Sequence, residues 1–263
     1  MLTRSLDKAR DAYKKKSVEA TKQAHSAGAC ANEHHSTGGQ YIKSIIYGGL
    51  DGTITTFAAV AGVAGASLSP AIVLIIGFAN LIADGLSMAI GDYLSTKAEK
   101  EYEAAEKKRE EWEIEHYPEG EKQELVEIYV SKGMPEKDAT SVVTTISKHK
   151  RAWSDIMMVE ELGIVPSAES PLKNAFATFA SFSVFGFIPI IAYVFARAIP
   201  FFAANTFLTS CVLTGATLFL LGALKTRITG RNWFLSGLEM FLVGSIAASA
   251  AYGIGFLLSG LAK

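Results

Sequence analysis

The chain has 263 residues, of which 49% are hydrophobic and 19% charged, with a formal net charge of -1. A soluble domain mixes apolar and charged residues along each helix, because each helix needs a wet face; here the two classes are segregated, as in a membrane protein. Lys97 to Ser170 holds 18 acidic and 11 basic residues and the rest is basic on balance, which argues against nucleic acid as partner and fits a cation ligand.

Residues 1–40 read as a soluble, basic cytosolic arm (Arg4, Lys8, Arg10, Lys14, Lys15, Lys16). It lacks the apolar core of a secretory signal peptide. Leu2, Leu6, Ala9 and Tyr13 recur at helical spacing, so the arm is read either as a solvated tail or as a short helix on an anionic bilayer. The cysteines Cys30 and Cys211 are far apart and no CxxC occurs, which excludes a disulfide framework and a structural zinc set.

Ile42 to Ala66 is expected to be the first membrane span. Pro70, suited to a helix start, opens a second span to about Leu94. Lys97 to His116 consists of strong helix formers without Gly or Pro, so one continuous helix is expected to leave the bilayer. Pro118 and Gly120 break it. A second soluble helix is expected from Glu121 to Lys132, ending at Gly133, and a third from Pro135 to about Leu162, before Gly163. Asn174–Ala196, Ile199–Leu224 and Trp233–Leu261 follow as spans three to five, each beyond the ~20 apolar residues that cross a bilayer. The expected fold is all-α: five transmembrane helices with a cytosolic three-helix acidic module between helices 2 and 3. Its divisions are 1–40, 41–96, 97–170 and 171–263.

The positive-inside rule places the N-terminus and the acidic module in the cytosol. Lys43, Lys148, Lys150, Arg151, Lys173, Lys225, Arg227 and Arg231 fall on one side, against Arg197 and Lys263 on the other. The C-terminus then faces a lumen or the exterior. Gly48, Gly52, Gly62 and Gly65 in span one, and Gly244, Ser245, Ala248 and Ser249 in span five, let helices approach closely. Packing within one subunit is the favoured reading over a dimer seam.

An acid at membrane depth costs ~2.5–3.5 kcal/mol on insertion scales, so such acids mark function. Asn80, Asp84, Met88 and Asp92 recur every four residues and stack on one helix face. Oxygen ligands with one thioether favour Fe(II) and its later neighbours over Mg or Ca. Asp51, among Gly48, Gly49 and Gly52, is read as a second transport acid, with a packing or N-cap role as the plain alternative. Glu239 is a lone acid in span five. A poorly solvated carboxylate lets protons compete with a metal for the same oxygens, a physical basis for exchange.

In the module, Glu110 and Glu113, and Glu121 and Glu124, are pairs three apart that could share an ion. Asp155-Ile156-Met157-Met158-Val159-Glu160-Glu161 again sets carboxylates beside thioethers. The plain alternative is a solvated acidic face with lysine partners such as Glu103–Lys107. The histidines (His25, His34, His35, His116, His149) are read as surface residues.

The motifs YGGLDGTITTFA at Tyr47, ADGLSMAIGDYLS at Ala83, the Glu-rich helix after it, WSDIMMVEELG at Trp153 and GLEMFLVG at Gly237 together resemble the vacuolar iron transporter family, from about Tyr41 onward. The resemblance implies homodimers with the ion path between subunits, exchanging cytosolic Fe(II), and often Mn(II), for lumenal protons. It implies no prosthetic group; Fe(II) is cargo, with Mn, Co or Zn as further substrates. It assigns transport roles to Asp51 and Met88. Plant members carry a glutamate where this chain has Asn80; an amide binds metal weakly and carries no proton, which moves attention to Asp84. The module ligands fall on Glu110, Glu113, Glu121, Glu124, Met157 and Glu161, with Glu160 or Met158 in the remaining place. The expected setting is a vacuolar or other endomembrane.

Two functions are weighed: a metal/proton antiporter, and a passive divalent-cation channel gated by the module. A membrane enzyme is disfavoured, since no nucleophile–base set or phosphate loop occurs.

Overall fold

A computed structural model describes residues 11–13, 15–24, 37–167 and 169–261. Cys30, His25, His34, His35 and most of the arm's basic residues lie outside the described residues. Every regular element among the described residues is a helix. In chain order these are α1 (Val18–Ala24), α2 (Thr37–Gly65), α3 (Pro70–His116), α4 (Pro118–Ser131), α5 (Glu136–Ile146), α6 (Lys150–Glu160), α7 (Pro171–Phe187), α8 (Ile191–Val194), α9 (Pro200–Ala204), α10 (Thr206–Thr229) and α11 (Trp233–Leu258). Short 3-10 turns sit at Ile188–Ile190 and Ser259–Leu261.

Among the described residues, four helical runs are long and apolar enough to cross a membrane: Pro70–His116, Pro171–Val194, Thr206–Thr226 and Trp233–Leu258. Helix α2 stands where the first span is expected. Residues Ala66 to Ser69 form the α2–α3 turn, with Ser67 left-handed at φ 56°. Helix α3 runs unbroken for 47 residues, as its run of helix formers predicts. Gly133 and Gly163, at φ 94° and 66°, end the helices before them, since only glycine takes that conformation freely.

The chain forms two compact units, residues 1–91 with 172–263, and residues 92–171. In the first, α2, α10 and α11 pack on one another, and Phe57, Val60, Val63, Val73, Leu81, Phe182, Ile190 and Tyr193 form the apolar core. Gly52 meets the backbone of Phe182, Gly65 that of Tyr252, and a Cβ on Gly48 would lie 2.8 Å from the Thr178 oxygen. These glycines serve helix contact within the subunit, as expected. The outer face stays apolar: Ile246 is 71% and Leu257 80% exposed, which suits lipid rather than water.

Two expected spans are interrupted. The third is interrupted at Pro189, whose missing N–H leaves the Phe185 carbonyl without its helical donor; the Thr53 hydroxyl, which donates chiefly to the Gly49 carbonyl at 2.7 Å, lies 3.4 Å from that oxygen. The Pro189 carbonyl accepts from Ser210 Oγ at 2.5 Å. The fourth is broken at Asn205, between α9 and α10.

The second unit differs from the three-helix expectation. The helix expected from Pro135 to Leu162 is two, α5 and α6, parted at Ser147–His149. With the last turns of α3 and with α4, they surround Ile114, Leu125, Val143, Trp153 and Met157. A straight helix could not turn both Val143 and Trp153 into one cluster.

Candidate metal sites

In the first unit, Asn80, Asp84 and Met88 are half-buried, and so is Asp92, the first residue of the second. One flank of their stripe is buried (Gly77, Leu81, Gly85, Ala89), the other exposed (Ala79, Ala83, Ser87). The four-residue spacing therefore sets Asn80, Asp84 and Met88 along one edge of the helix within the first unit. Asp51 on α2 is half-buried too, and Asp84 is close enough for the two carboxylates to interact electrostatically. Met88 also packs against the apolar core. Thr55 donates to the Asp51 backbone oxygen at 2.8 Å. Glu239 on α11 is exposed.

In the second unit, three helices bring three glutamates together. Glu110 comes from α3, Glu121 from the first turn of α4, and Glu161 caps the C-terminus of α6. One carboxylate oxygen of each lies within 4.8 Å of the other two. Glu110 is fully buried, Glu121 nearly so, and Glu161 is exposed. Both Glu110 oxygens and Glu121 Oε2 are buried without a hydrogen-bond partner. Burial, reinforced by Glu121, pushes the Glu110 carboxyl up to about 8. Burial also raises Glu121 and Glu161, and for Glu161 the charge of Glu124 adds to it.

Buried, unpartnered, mutually repelling carboxylates are costly. A divalent cation is a group that satisfies all of them at once, and an all-oxygen set with exposure on one side suits a hard or borderline metal.

The other expected ligands stand around this core in different states. Glu113 accepts from Arg109 Nη1 at 2.5 Å. Glu124 lines an open cavity of about 280 Å³ with Glu127, Ile128, Ser131 and Glu161. Met157 is fully buried in the apolar cluster beside Trp153. Met158 is buried. Glu160 is ion-paired with Lys132, so Glu161 and not Glu160 joins the cluster. The expected Glu103–Lys107 pair is absent among the described contacts: Lys107 pairs with Asp155, and Glu103 accepts from the Ser167 backbone at 3.2 Å. Arg109, which pairs with both Glu106 and Glu113, was not legible as a site residue, although its spacing of three and four from two glutamates was the signal.

Apolar helices long enough to span a bilayer and a carboxylate cluster without donors define a membrane protein that handles cations. Comparison with known proteins narrows the class. The model of the VIT family matches residues 42–256, and the chain belongs to that family. It is 43% identical to the vacuolar iron transporter of Toxoplasma gondii (strain ATCC 50861 / VEG), over 97% of this chain and 89% of that protein. It is 38% identical to the vacuolar iron transporter of Plasmodium falciparum (isolate 3D7), over 98% of each. Against vacuolar iron transporter 1 of Arabidopsis thaliana it is 37% identical, over 84% of this chain and 87% of the other. The relatives are named as transporters, and the chain is a transporter rather than an enzyme.

Proposed function

We propose that the protein moves cytosolic Fe(II), and also Mn(II), into a vacuole-like compartment in exchange for protons. The observation that carries the reading is the Glu110–Glu121–Glu161 cluster, whose innermost carboxylate has no donor. Family membership and relatives named vacuolar iron transporter support iron as cargo. In this reading residues 97–170 load the metal, with Glu113, Glu124, Met157 and either Glu160 or Met158 completing the coordination. The Lys132 pair favours Met158 for that last place.

Five spans, with α2 as the first, put the termini on opposite sides, the N-terminus and the acidic module in the cytosol. The transport path uses Asp51, Asp84 and Met88. Asp51 and Asp84 interact electrostatically, so a cation that passes between them is attracted by both, and a proton can take its place when the cation leaves. Asn80 supplies an amide oxygen but no proton, which leaves proton exchange to the two aspartates. The thioether of Met88 tilts the path toward Fe(II). The working unit is a homodimer.

The test is Fe(II) and Mn(II) uptake into proteoliposomes with an imposed pH gradient. Uptake that rises steeply with lumenal acidity, and is lost in Asp51→Ala and Asp84→Ala, is expected. Flux indifferent to the gradient would replace the antiporter by a passive channel.

A further inference from the structure

The glutamate cluster has a basic neighbour on its own helix. Arg109 precedes Glu110, and its guanidinium donates from Nε to Glu106 Oε2 at 3.0 Å and from Nη1 to Glu113 Oε2 at 2.5 Å. Its charge also acts on Glu121 and Glu161. The other basic side chains paired across the unit serve acids outside the cluster: Lys107 with Asp155, Lys132 with Glu160 and Lys150 with Glu115. Among the described residues, Arg109 is therefore a cation whose field falls on two of the three cluster glutamates, Glu121 and Glu161, and whose fork engages a proposed metal ligand.

A guanidinium stays charged at any working pH and offers five donors in a rigid plane. It can balance carboxylates while the site is empty. It cannot coordinate a metal, and it repels one.

We propose that Arg109 is a resident counter-cation of this site: it holds Glu113 while the site is empty, releases it when a divalent ion enters, and so keeps binding weak and reversible. The proposal rests on the reading of the cluster as a metal site. It makes Arg109 a tuning residue, not a ligand. A transporter gains from this, because a loading site that binds too tightly does not pass its cargo on. Arg109 is 41% exposed, so solvent screens its effect to a modest size.

The experiment is calorimetric titration of the full chain in detergent with Mn(II), comparing wild type, Arg109→Gln, Arg109→Met, Arg109→Lys and Glu110→Gln. Removal of the charge in Arg109→Gln and Arg109→Met is expected to tighten Mn(II) binding about five- to thirty-fold, the size of a screened charge–charge repulsion at this range. Arg109→Lys keeps the charge and is expected to stay within about threefold of wild type. Arg109→Gln and Arg109→Met binding no tighter than wild type, while Glu110→Gln loses binding, overturns the counter-cation and leaves Arg109 as a clamp that orients Glu113. Glu110→Gln binding Mn(II) like wild type removes the site itself, and the proposal falls with it. Should one neutral variant fail to fold, the other together with Arg109→Lys decides the question.

Discussion

A carboxylate whose two oxygens are out of water and without a donor, as at Glu110, destabilises the empty fold whenever it is ionised. Between the ordinary value of 4.5 and about 8, the folded chain keeps a proton at Glu110 that the unfolded chain has released. Stability therefore falls as pH rises through that window. The metal-free protein is expected to melt at a higher temperature at pH 6 than at pH 8, by scanning fluorimetry in detergent. Glu110→Gln should shrink that difference and raise stability at pH 8, while costing most of the Mn(II) affinity. An unchanged pH difference in the variant would place the effect elsewhere. At Gly52 the argument is steric: a Cβ would strike the Phe182 backbone. Gly52→Val is expected to destabilise the chain by more than about 2 kcal/mol, as overpacking does, read as a fall in melting temperature.

Helices reveal where the chain was legible and where it was not. Helix α3 was readable through all 47 residues because Lys97 to His116 contains nothing that stops a helix. Its four-residue stripe of Asn80, Asp84, Met88 and Asp92 was readable from periodicity alone. The split between α5 and α6 was not. No Gly or Pro marks Ser147–His149; the turn closes with Lys148 N–H donating to Thr145 at 3.3 Å and His149 N–H to Ile146 at 2.9 Å. Its cause is tertiary, the joint burial of Val143 and Trp153, which local propensity does not encode. The partner choice within the last motif was likewise hidden: that Glu161 meets Glu110 while Glu160 meets Lys132 depends on where α6 ends. The interruption of the third span at Pro189 was not read either. The Thr53 hydroxyl donates to the Gly49 carbonyl at 2.7 Å and stands 3.4 Å from that of Phe185, so Thr53→Val, nearly isosteric, is expected to cost about 1–2 kcal/mol by removing this buried donor. Thr53→Ser should retain most of the stability in the same melting assay.

The whole molecule divides into two compact units, and under the proposed function each meets the cation with a different chemistry. The first offers the aspartates Asp51 and Asp84, on α2 and α3, among apolar spans. The second offers glutamates from three helices with water on one side. Metal that binds only the folded chain raises its stability by about 2.7 kcal/mol at a hundredfold excess over Kd. The melting temperature is therefore expected to climb with Mn(II) concentration in wild type and in Asp51→Ala, and to climb much less in a Glu110→Gln, Glu121→Gln double variant. A flat response in wild type would deny the second unit its ion.

Trp153 packs at 3% exposure beside Met157 and Ile114, in the same cluster that α3 enters one turn after Glu110. Trp112, in the same unit, is 58% exposed. An indole in an apolar shell emits at shorter wavelength than indoles in water, and paramagnetic ions such as Mn(II) or Fe(II) quench nearby emission. If the glutamate cluster takes up the ion as proposed, the blue edge of the protein's own fluorescence is expected to dim as Mn(II) enters, readable without a label, and replacing Trp153 with Phe should blind it.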